Sequence, residues 1–441
     1  MKNNIRINEL CYSTIFMDNP NSYETYVNQG GYLAWRNILK SLPEKKQIIN
    51  TVIESGLRGR GGAGFSTGKK WNFIDQDSSK VKYLVCNADE SEPGTCKDRD
   101  ILRYNPHALI EGMLIASYAI GAEISYCYLR GEFIDDVYSS FKNALQEAYN
   151  NKLLGKNILN TSINIDIYDL IGAGAYIVGE ETALLESIEG KKGFPRYKPP
   201  FPAIKGLFGS PTIINNVETL ASIPLIISKG SKWFNGIGTK DSPGFKCFSV
   251  SGHVNKPGNY EIPLGTSFKE LLELAGGLKD NKKLKAVIPG GSSVPVVPGD
   301  IMLQTNMDYE SIIKSGSFLG SGAVIVMNED TDMVKVIHRI SRFYYSESCG
   351  QCTPCREGTG WMYRIIDKIV NGNANLKDFE TLKSIPKMIS GSTICGFGDA
   401  SAMPVESFIK HYEHEFLSYI KDNNREILSS QIILDKKIFI K

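Results

Sequence analysis

Histidine is scarce in this chain, with five among 441 residues, and excess charge of either sign is missing, because 50 Lys+Arg face 48 Asp+Glu. The histidines are scattered, so no Ser/His/Asp or zinc-hydrolase arrangement can be assembled from them. A formal net charge of +2 provides no global attraction to nucleic acid or an anionic membrane, and any anion site must be local. Long apolar runs are absent too. The most apolar stretch, residues 109–122, contains Glu111, Gly112 and Gly121 and falls short of the roughly 20 apolar residues of a membrane span. A membrane role therefore needs a partner. Residues 1–16 lack an apolar h-region and a small-residue cleavage site, which predicts an unexported chain. A disulfide framework is not indicated either: nine cysteines is an odd number, and three crowd into seven residues, which suits metal binding in a reducing compartment.

What is present is globular, with 42% hydrophobic and 22% charged residues in a length that suits two to four domains of roughly 100–200 residues. Residues 1 to about 45 form a polar lead-in whose aromatics (Tyr23, Tyr26, Tyr32, Trp35) should pack onto the domain after it. Helical spacing from Gln47 to Leu57 leads into a glycine-rich segment. Strands at 81–86, 124–129 and 163–168 alternate with helices at 107–121 and 136–150, an α/β pattern. We expect a first domain over 1–240. A second, over 241–332, has a small β-grasp pattern, and a helical bundle over 333–441 completes the chain.

Gly59-Arg60-Gly61-Gly62-Ala63-Gly64 satisfies G-x-G-x-x-G, but a helix precedes it where the dinucleotide fingerprint needs a strand. The four glycines still allow close backbone approach and present N–H groups to a phosphate, with Arg60, Lys69 and Lys70 adding charge. A flexible loop is the plain alternative. A Walker A reading fails for want of one residue and the magnesium-holding hydroxyl. The second glycine turn, Gly172 to Gly179, runs into Glu180-Glu181, where two carboxylates would repel a phosphate. They suit hydrogen bonds to a ring or ribose, or simple helix capping. Asn87, Asp89, Glu90 and Glu92 follow a strand end, where ligand contacts gather in α/β sheets, although a solvated acidic loop reads the same way. Phe65, Phe73 and Phe201 near these loops could stack on an adenine or flavin, or fill the core.

Cys349-x2-Cys352-x2-Cys355 has the spacing that wraps three thiolates around one iron–sulfur cube. Zinc sites favour two separated pairs, a thioredoxin-like Cys352–Cys355 pair leaves Cys349 unexplained, and Arg356 in place of histidine excludes haem attachment. Cys395 is the only later cysteine to complete a 4Fe-4S set. The other five have no ligand spacing and read as core or free thiols.

Taken in order, the glycine loop, Asn-Ala-Asp-Glu, Gly-Glu-Glu, Asn215-Asn-Val-Glu-Thr219 and Ser348-Cys-Gly-Gln-Cys-Thr-Pro-Cys-Arg-Glu-Gly358 make the sequence resemble the NADH-binding flavoprotein subunit of respiratory complex I over nearly its full length. The resemblance implies a Rossmann-like FMN/NADH domain, a ubiquitin-like domain and a helical cluster domain. It implies FMN held by Gly59, Arg60, Gly61, Gly62, Gly64 and Lys70, by Asn87, Asp89 and Glu90, by Gly179, Glu180 and Glu181, and by Asn215, Asn216 and Thr219. NADH would stack on Phe65, Phe73 and Phe201 and meet Glu92, Tyr176 and Lys198. Glu180 and Glu181 become the candidate catalytic pair, and Cys349, Cys352, Cys355 and Cys395 the cluster ligands. Implied partners are a thioredoxin-like 2Fe-2S subunit and a large multi-cluster iron–sulfur subunit, with the chain peripheral on the cytoplasmic face of the inner membrane. Ser66 departs from the proline expected in many relatives. Two other functions compete: the diaphorase subunit of a soluble NAD-linked hydrogenase or formate dehydrogenase, and a non-catalytic iron–sulfur scaffold.

Overall fold

The structure, a computed structural model, describes residues 7–438. Four strands, β1 (Tyr83–Ala88), β2 (Ile124–Leu129), β3 (Asp166–Ile171) and β4 (Thr212–Asn216), form a wholly parallel sheet in the order β3-β2-β1-β4. The third strand was expected at 163–168. Parallel pairing of Ile124 with Asp166 sets its start three residues later, and Ile165 is used instead in an isolated bridge to Gly155.

The apolar stretch at 109–122 belongs to a core helix, Pro106–Ile120, buried on every side. Pro106 opens it and Gly121, at φ 74°, ends it in the left-handed conformation. Gly112 is required by close approach, since a Cβ there would lie 1.9 Å from the Leu220 carbonyl oxygen. The buried Glu111 anchors the lead-in: its carboxylate accepts from Tyr26 Oη (2.5 Å), Tyr32 N (2.8 Å) and Trp35 N (3.0 Å). Tyr26, Tyr32 and Trp35 thereby enter the core beneath this helix, as their aromatic character suggested.

A second sheet contains β5 (Phe245–Gly252), β6 (Gly258–Pro263), β7 (Leu284–Ile288), β8 (Val297–Pro298) and β9 (Ala323–Asn328) in the order β6-β5-β9-β7-β8. Only β5 and β9 run parallel. The helix Phe268–Leu274 beside it begins with a Ser267/Glu270 capping box. The rest is helical: Met333–Glu347, Thr353–Val370, Leu376–Ile389 and Phe397–Ile438. Their buried residues, Ile337, Met362, Leu382 and Phe408 among them, share one core with Val85, Leu184 and Ile214 of the first region. The helices thus close onto the parallel sheet. Among the described residues no helix is long and apolar enough to cross a membrane.

Candidate active site

The strand order places β1 beside β4 with β2 on its other flank, so the sheet's connections diverge between β1 and β4. Ligands of open α/β sheets bind outside the carboxyl ends of strands at such a point. Asn87 and Asn216 face each other there in register. A cavity of about 310 Å³ opens above them, and its wall includes Gly61, Gly62, Asn87, Asp89, Glu90, Glu92, Tyr176, Gly179, Glu180, Asn216 and Cys395.

The glycine loop follows the helix Lys45–Ser55, whose C-cap is the left-handed Gly56. Gly59 N donates to Phe65 O (2.7 Å), and Arg60 N donates to Thr219 Oγ1 (2.8 Å). Thr219 therefore holds the loop from behind, fully buried, and is not part of the cavity wall. Gly61 packs on Asn216, with space for a Cβ only 2.9 Å from the Asn216 Cβ, whereas a Cβ on Gly62 would meet nothing within 4 Å.

The expectation that Arg60 brings charge to a phosphate is corrected. Its guanidinium is fully buried and donates to Arg58 O (3.2 Å) and Pro243 O (3.1 Å). Lys70 is also committed, at 2.9 Å from Glu181. Lys198, expected to meet a nucleotide phosphate, bridges Glu180 (3.0 Å) and Glu181 (2.9 Å). Lys70 and Lys198 thus answer carboxylates, and the cation on the cavity wall itself is Lys97.

At the end of β1, Asn87 Nδ2 donates to Gly179 O (2.8 Å), joining the two glycine turns. Asp89 is 8% exposed, and its Oδ1 has no hydrogen-bond partner. Burial raises its carboxyl to about 7, although Ser91 and Arg130 oppose the shift. Glu90 accepts from Asp98 N (2.8 Å) and Arg99 N (2.9 Å) at the start of the helix Lys97–Tyr104, and burial beside Asp98 raises it to about 8. Glu92 accepts from Tyr176 Oη (2.6 Å) and Ser293 N (2.8 Å). Of the Glu180-Glu181 pair, Glu180 takes the capping role and Glu181 is paired with lysines. Glu180 caps the helix Glu181–Ile188 through Thr182 N and Ala183 N. Burial alone would raise Glu181, but Lys70 and Lys198 hold it down at about 2.

Cys349, Cys352 and Cys355 lie where the helix Thr353–Val370 begins, with Cys352 as its N-cap, and Cys395 lies two residues before the start of the helix Phe397–Ile438. Two helix N-termini thus face thiols that must become thiolates to bind metal. Burial raises Cys355 to about 12 and Cys395 to about 11, each raised further by the other cysteines of the set. Metal binding would reverse this by displacing the protons. Glu180 lies close enough to Cys395 to raise it too, so the acidic turn and the cysteines adjoin.

Phe65 and Phe73 are brought together, ring centroids 6.0 Å apart, and they are 52% and 60% exposed; Phe201 is 56% exposed. All three lie outside the wall of the cavity. Asn215 accepts from Trp71 Nε1 (2.8 Å) and is buried away from it. Sequence reasoning missed Lys97, Asp98, Ser293, Ser321 and Phe397, which do line it. Lys97 is fully buried, 2.7 Å from Asp98 and 2.9 Å from Glu218. No local pattern marks a lysine as buried. Ser293, Ser321 and Phe397 arrive from segments more than 100 residues distant from the glycine loop.

Comparison with known proteins matches three stretches of the chain. Residues 52–225 match the Nuo51 FMN-binding domain, residues 247–297 the SLBB domain, and residues 335–419 the NADH-ubiquinone oxidoreductase-F iron-sulfur binding region. The F subunit of NADH-quinone oxidoreductase from Rickettsia bellii (strain OSU 85-389) is 55% identical over 390 residues, covering 88% of this chain and 93% of that protein. The Rickettsia typhi protein of the same name is 55% identical over 392 residues, 88% and 92% of the two chains. Among solved structures, a chain of an NAD+-reducing [NiFe]-hydrogenase in the H2-reduced state superposes with a TM-score of 0.77 at 35% identity. That match covers 86% of this chain and 63% of the hydrogenase chain.

Proposed function

The chain belongs to the family of NADH-quinone oxidoreductase F subunits, and from that premise we propose how this cavity serves the family's reaction. The protein is the NADH-oxidising flavoprotein subunit of NADH:quinone oxidoreductase, with FMN and a 4Fe-4S cluster as its redox groups. A single observation carries the site reading: one cavity is lined jointly by the glycine loop, the acidic end of β1, the Gly179-Glu180 turn and Cys395.

The residues fit both groups. Gly62 and Gly396 line the cavity with space where a Cβ would meet nothing within 4 Å, and Asp89 presents an unpartnered buried oxygen. Four thiols lie at two helix N-termini, a donor set of sulfur alone, which suits iron–sulfur chemistry. FMN supplies the exchange between a two-electron hydride donor and a one-electron acceptor, which is the chemistry the cluster needs. The chain's own residues hold and shield. Gly59 to Gly64 offer backbone donors and close approach, with Asn87, Asp89, Glu90, Asn216 and the Gly179-Glu180 turn forming the walls. Arg60, Asn215 and Thr219 support that wall from behind. Glu181, held ionised by Lys70 and Lys198, keeps a fixed negative charge at the rim, and the exposed Phe65, Phe73 and Phe201 are available to stack on a nucleotide base. Glu92 and Tyr176 offer a polar pair to the nicotinamide. Cys349, Cys352, Cys355 and Cys395 would ligate the cluster beside this wall.

The units 1–240, 241–332 and 333–441 are the corresponding domains in this reading. The mixed sheet β5–β9 with its helix supports a ubiquitin-like β-grasp assignment for the second, and the four packed helices support a bundle for the third. Partner subunits of thioredoxin-like 2Fe-2S and multi-cluster type, and a place on the cytoplasmic face of the inner membrane, belong to the same proposal. The diaphorase alternative is less favoured, because the chain covers 93% of the Rickettsia bellii protein at 55% identity and 63% of the hydrogenase chain at 35%.

Anaerobic titration of the reconstituted protein with NADH, followed by visible absorbance and EPR, tests the reading. Bleaching of bound flavin on NADH addition is the expected result. Flavin that stays oxidised would overturn the nucleotide-site assignment and favour a scaffold.

A further inference from the structure

Away from the cavity, three chemically matched side chains converge from segments far apart in sequence. Cys11 Sγ, Cys247 Sγ and a Glu261 carboxylate oxygen all lie within 4.8 Å of one another, and all three residues are 0–1% exposed. Cys247 Sγ is 4.0 Å from Glu261 Oε1. Ser222 Oγ lies 3.6 Å from Cys11 Sγ, and its proton is already given to Glu218 O (2.8 Å), which leaves its lone pairs free.

We propose that Cys11, Cys247 and Glu261 bind one zinc ion, with the Ser222 hydroxyl in the fourth position. Zinc–sulfur bonds of about 2.3 Å and zinc–oxygen bonds of about 2.0 Å give a tetrahedron with edges of roughly 3.3–3.8 Å. The separations within the triad, none above 4.8 Å, exceed those edges by at most about 1.3 Å, a gap that rotation of side chains closes on metal binding. Thiolate donors select zinc over the hard ions magnesium and calcium.

The charge around the triad is compatible with the ion. Arg60, Lys97 and Lys246 are buried around Glu218, Asp98 and Glu90. Cys247 N donates to Glu218 Oε1 (2.8 Å), which joins this cluster to the triad. Two thiolates and one carboxylate on Zn²⁺ carry one negative charge, the same as an ionised Glu261 beside two protonated thiols, so the ion adds no net charge to the buried cluster. Binding is a plain exchange in which the ion enters and two thiol protons leave to solvent. Among the described residues the Glu261 carboxylate meets backbone N–H groups and a thiol, and no cation. The site would tie the lead-in to β5 and β6, a structural role independent of the redox reaction.

The test uses the full-length, flavin- and cluster-loaded protein made with zinc in the medium. About one zinc per chain is expected beside the cluster iron, with a zinc-edge X-ray absorption spectrum showing about two sulfur and two oxygen neighbours. Cys11→Ser and Cys247→Ser should each lower zinc content at least about tenfold, with iron and flavin contents unchanged. If either variant fails to fold, the wild-type zinc content and spectrum decide alone. Less than about a tenth of a zinc per chain overturns the proposal. So does a zinc spectrum with four sulfur neighbours, which would place the ion at the cluster cysteines, or a Cys11–Cys247 disulfide in peptide mapping.

Discussion

Adding one methyl group at Gly62 separates the cavity's role from its stability. The Gly62 Cα faces open space on the cavity wall, its φ lies outside the left-handed region, and a Cβ would meet nothing within 4 Å. Gly62→Ala therefore introduces no clash and reduces the entropy of the unfolded chain, which should leave stability equal or higher by about 0.4–1 kcal/mol. If the flavin fills this cavity, the same methyl displaces it from close contact. Overpacking by one methyl group costs about 1–3 kcal/mol, which translates into roughly 5- to 140-fold weaker FMN binding. The assay is fluorescence quenching of FMN by deflavinated protein, with thermal unfolding measured in parallel. Gly258→Ala is the control, since its Cβ is equally free but lies on β6, outside the cavity. Gly61→Ala, whose Cβ would come 2.9 Å from Asn216 Cβ, should instead lose both stability and flavin. Wild-type FMN affinity in Gly62→Ala would refute the placement of the flavin against this loop.

Three further outcomes rest on particular residues. Ser66 has φ −60° and its N–H makes no backbone bond, so Ser66→Pro should stabilise the apoprotein by about 0.4–1 kcal/mol in denaturant unfolding; a loss of stability would show that the loop needs another conformation. Cys395→Ala should abolish the four-iron EPR signal while flavin content is retained, and a wild-type spectrum would remove Cys395 from the ligand set. Glu181 is held at about 2 against an ordinary 4.5, so the unfolded chain takes up the proton first as pH falls. Its contribution, about 2 kcal/mol after allowance for solvent, is complete above about pH 5 and is lost as pH falls toward 2. Glu181→Gln should consequently unfold at lower temperature than wild type at pH 7, with the gap narrowing in acid; a gap independent of pH would contradict the ion pairing.

Local chemistry made much of the site legible in the sequence, because its signals depend on neighbours along the chain. Three cysteines at x2 spacing wrap one loop, consecutive glycines mark close backbone approach, and Asp89 to Glu92 follow the buried strand Tyr83–Ala88, which was expected at 81–86 and runs on to include Asn87. The alternation of strands and helices likewise comes from periodicity. Tertiary structure decided what those residues face. Arg60 looks like a phosphate ligand in the sequence, yet the fold buries it against Pro243 O, 183 residues away. Glu180 and Glu181 are adjacent and chemically identical, but one caps a helix and the other sits between two lysines. Lys97 and the Cys11–Cys247–Glu261 group carry no sequence mark, because burial and convergence are properties of long-range packing that no spacing along the chain encodes.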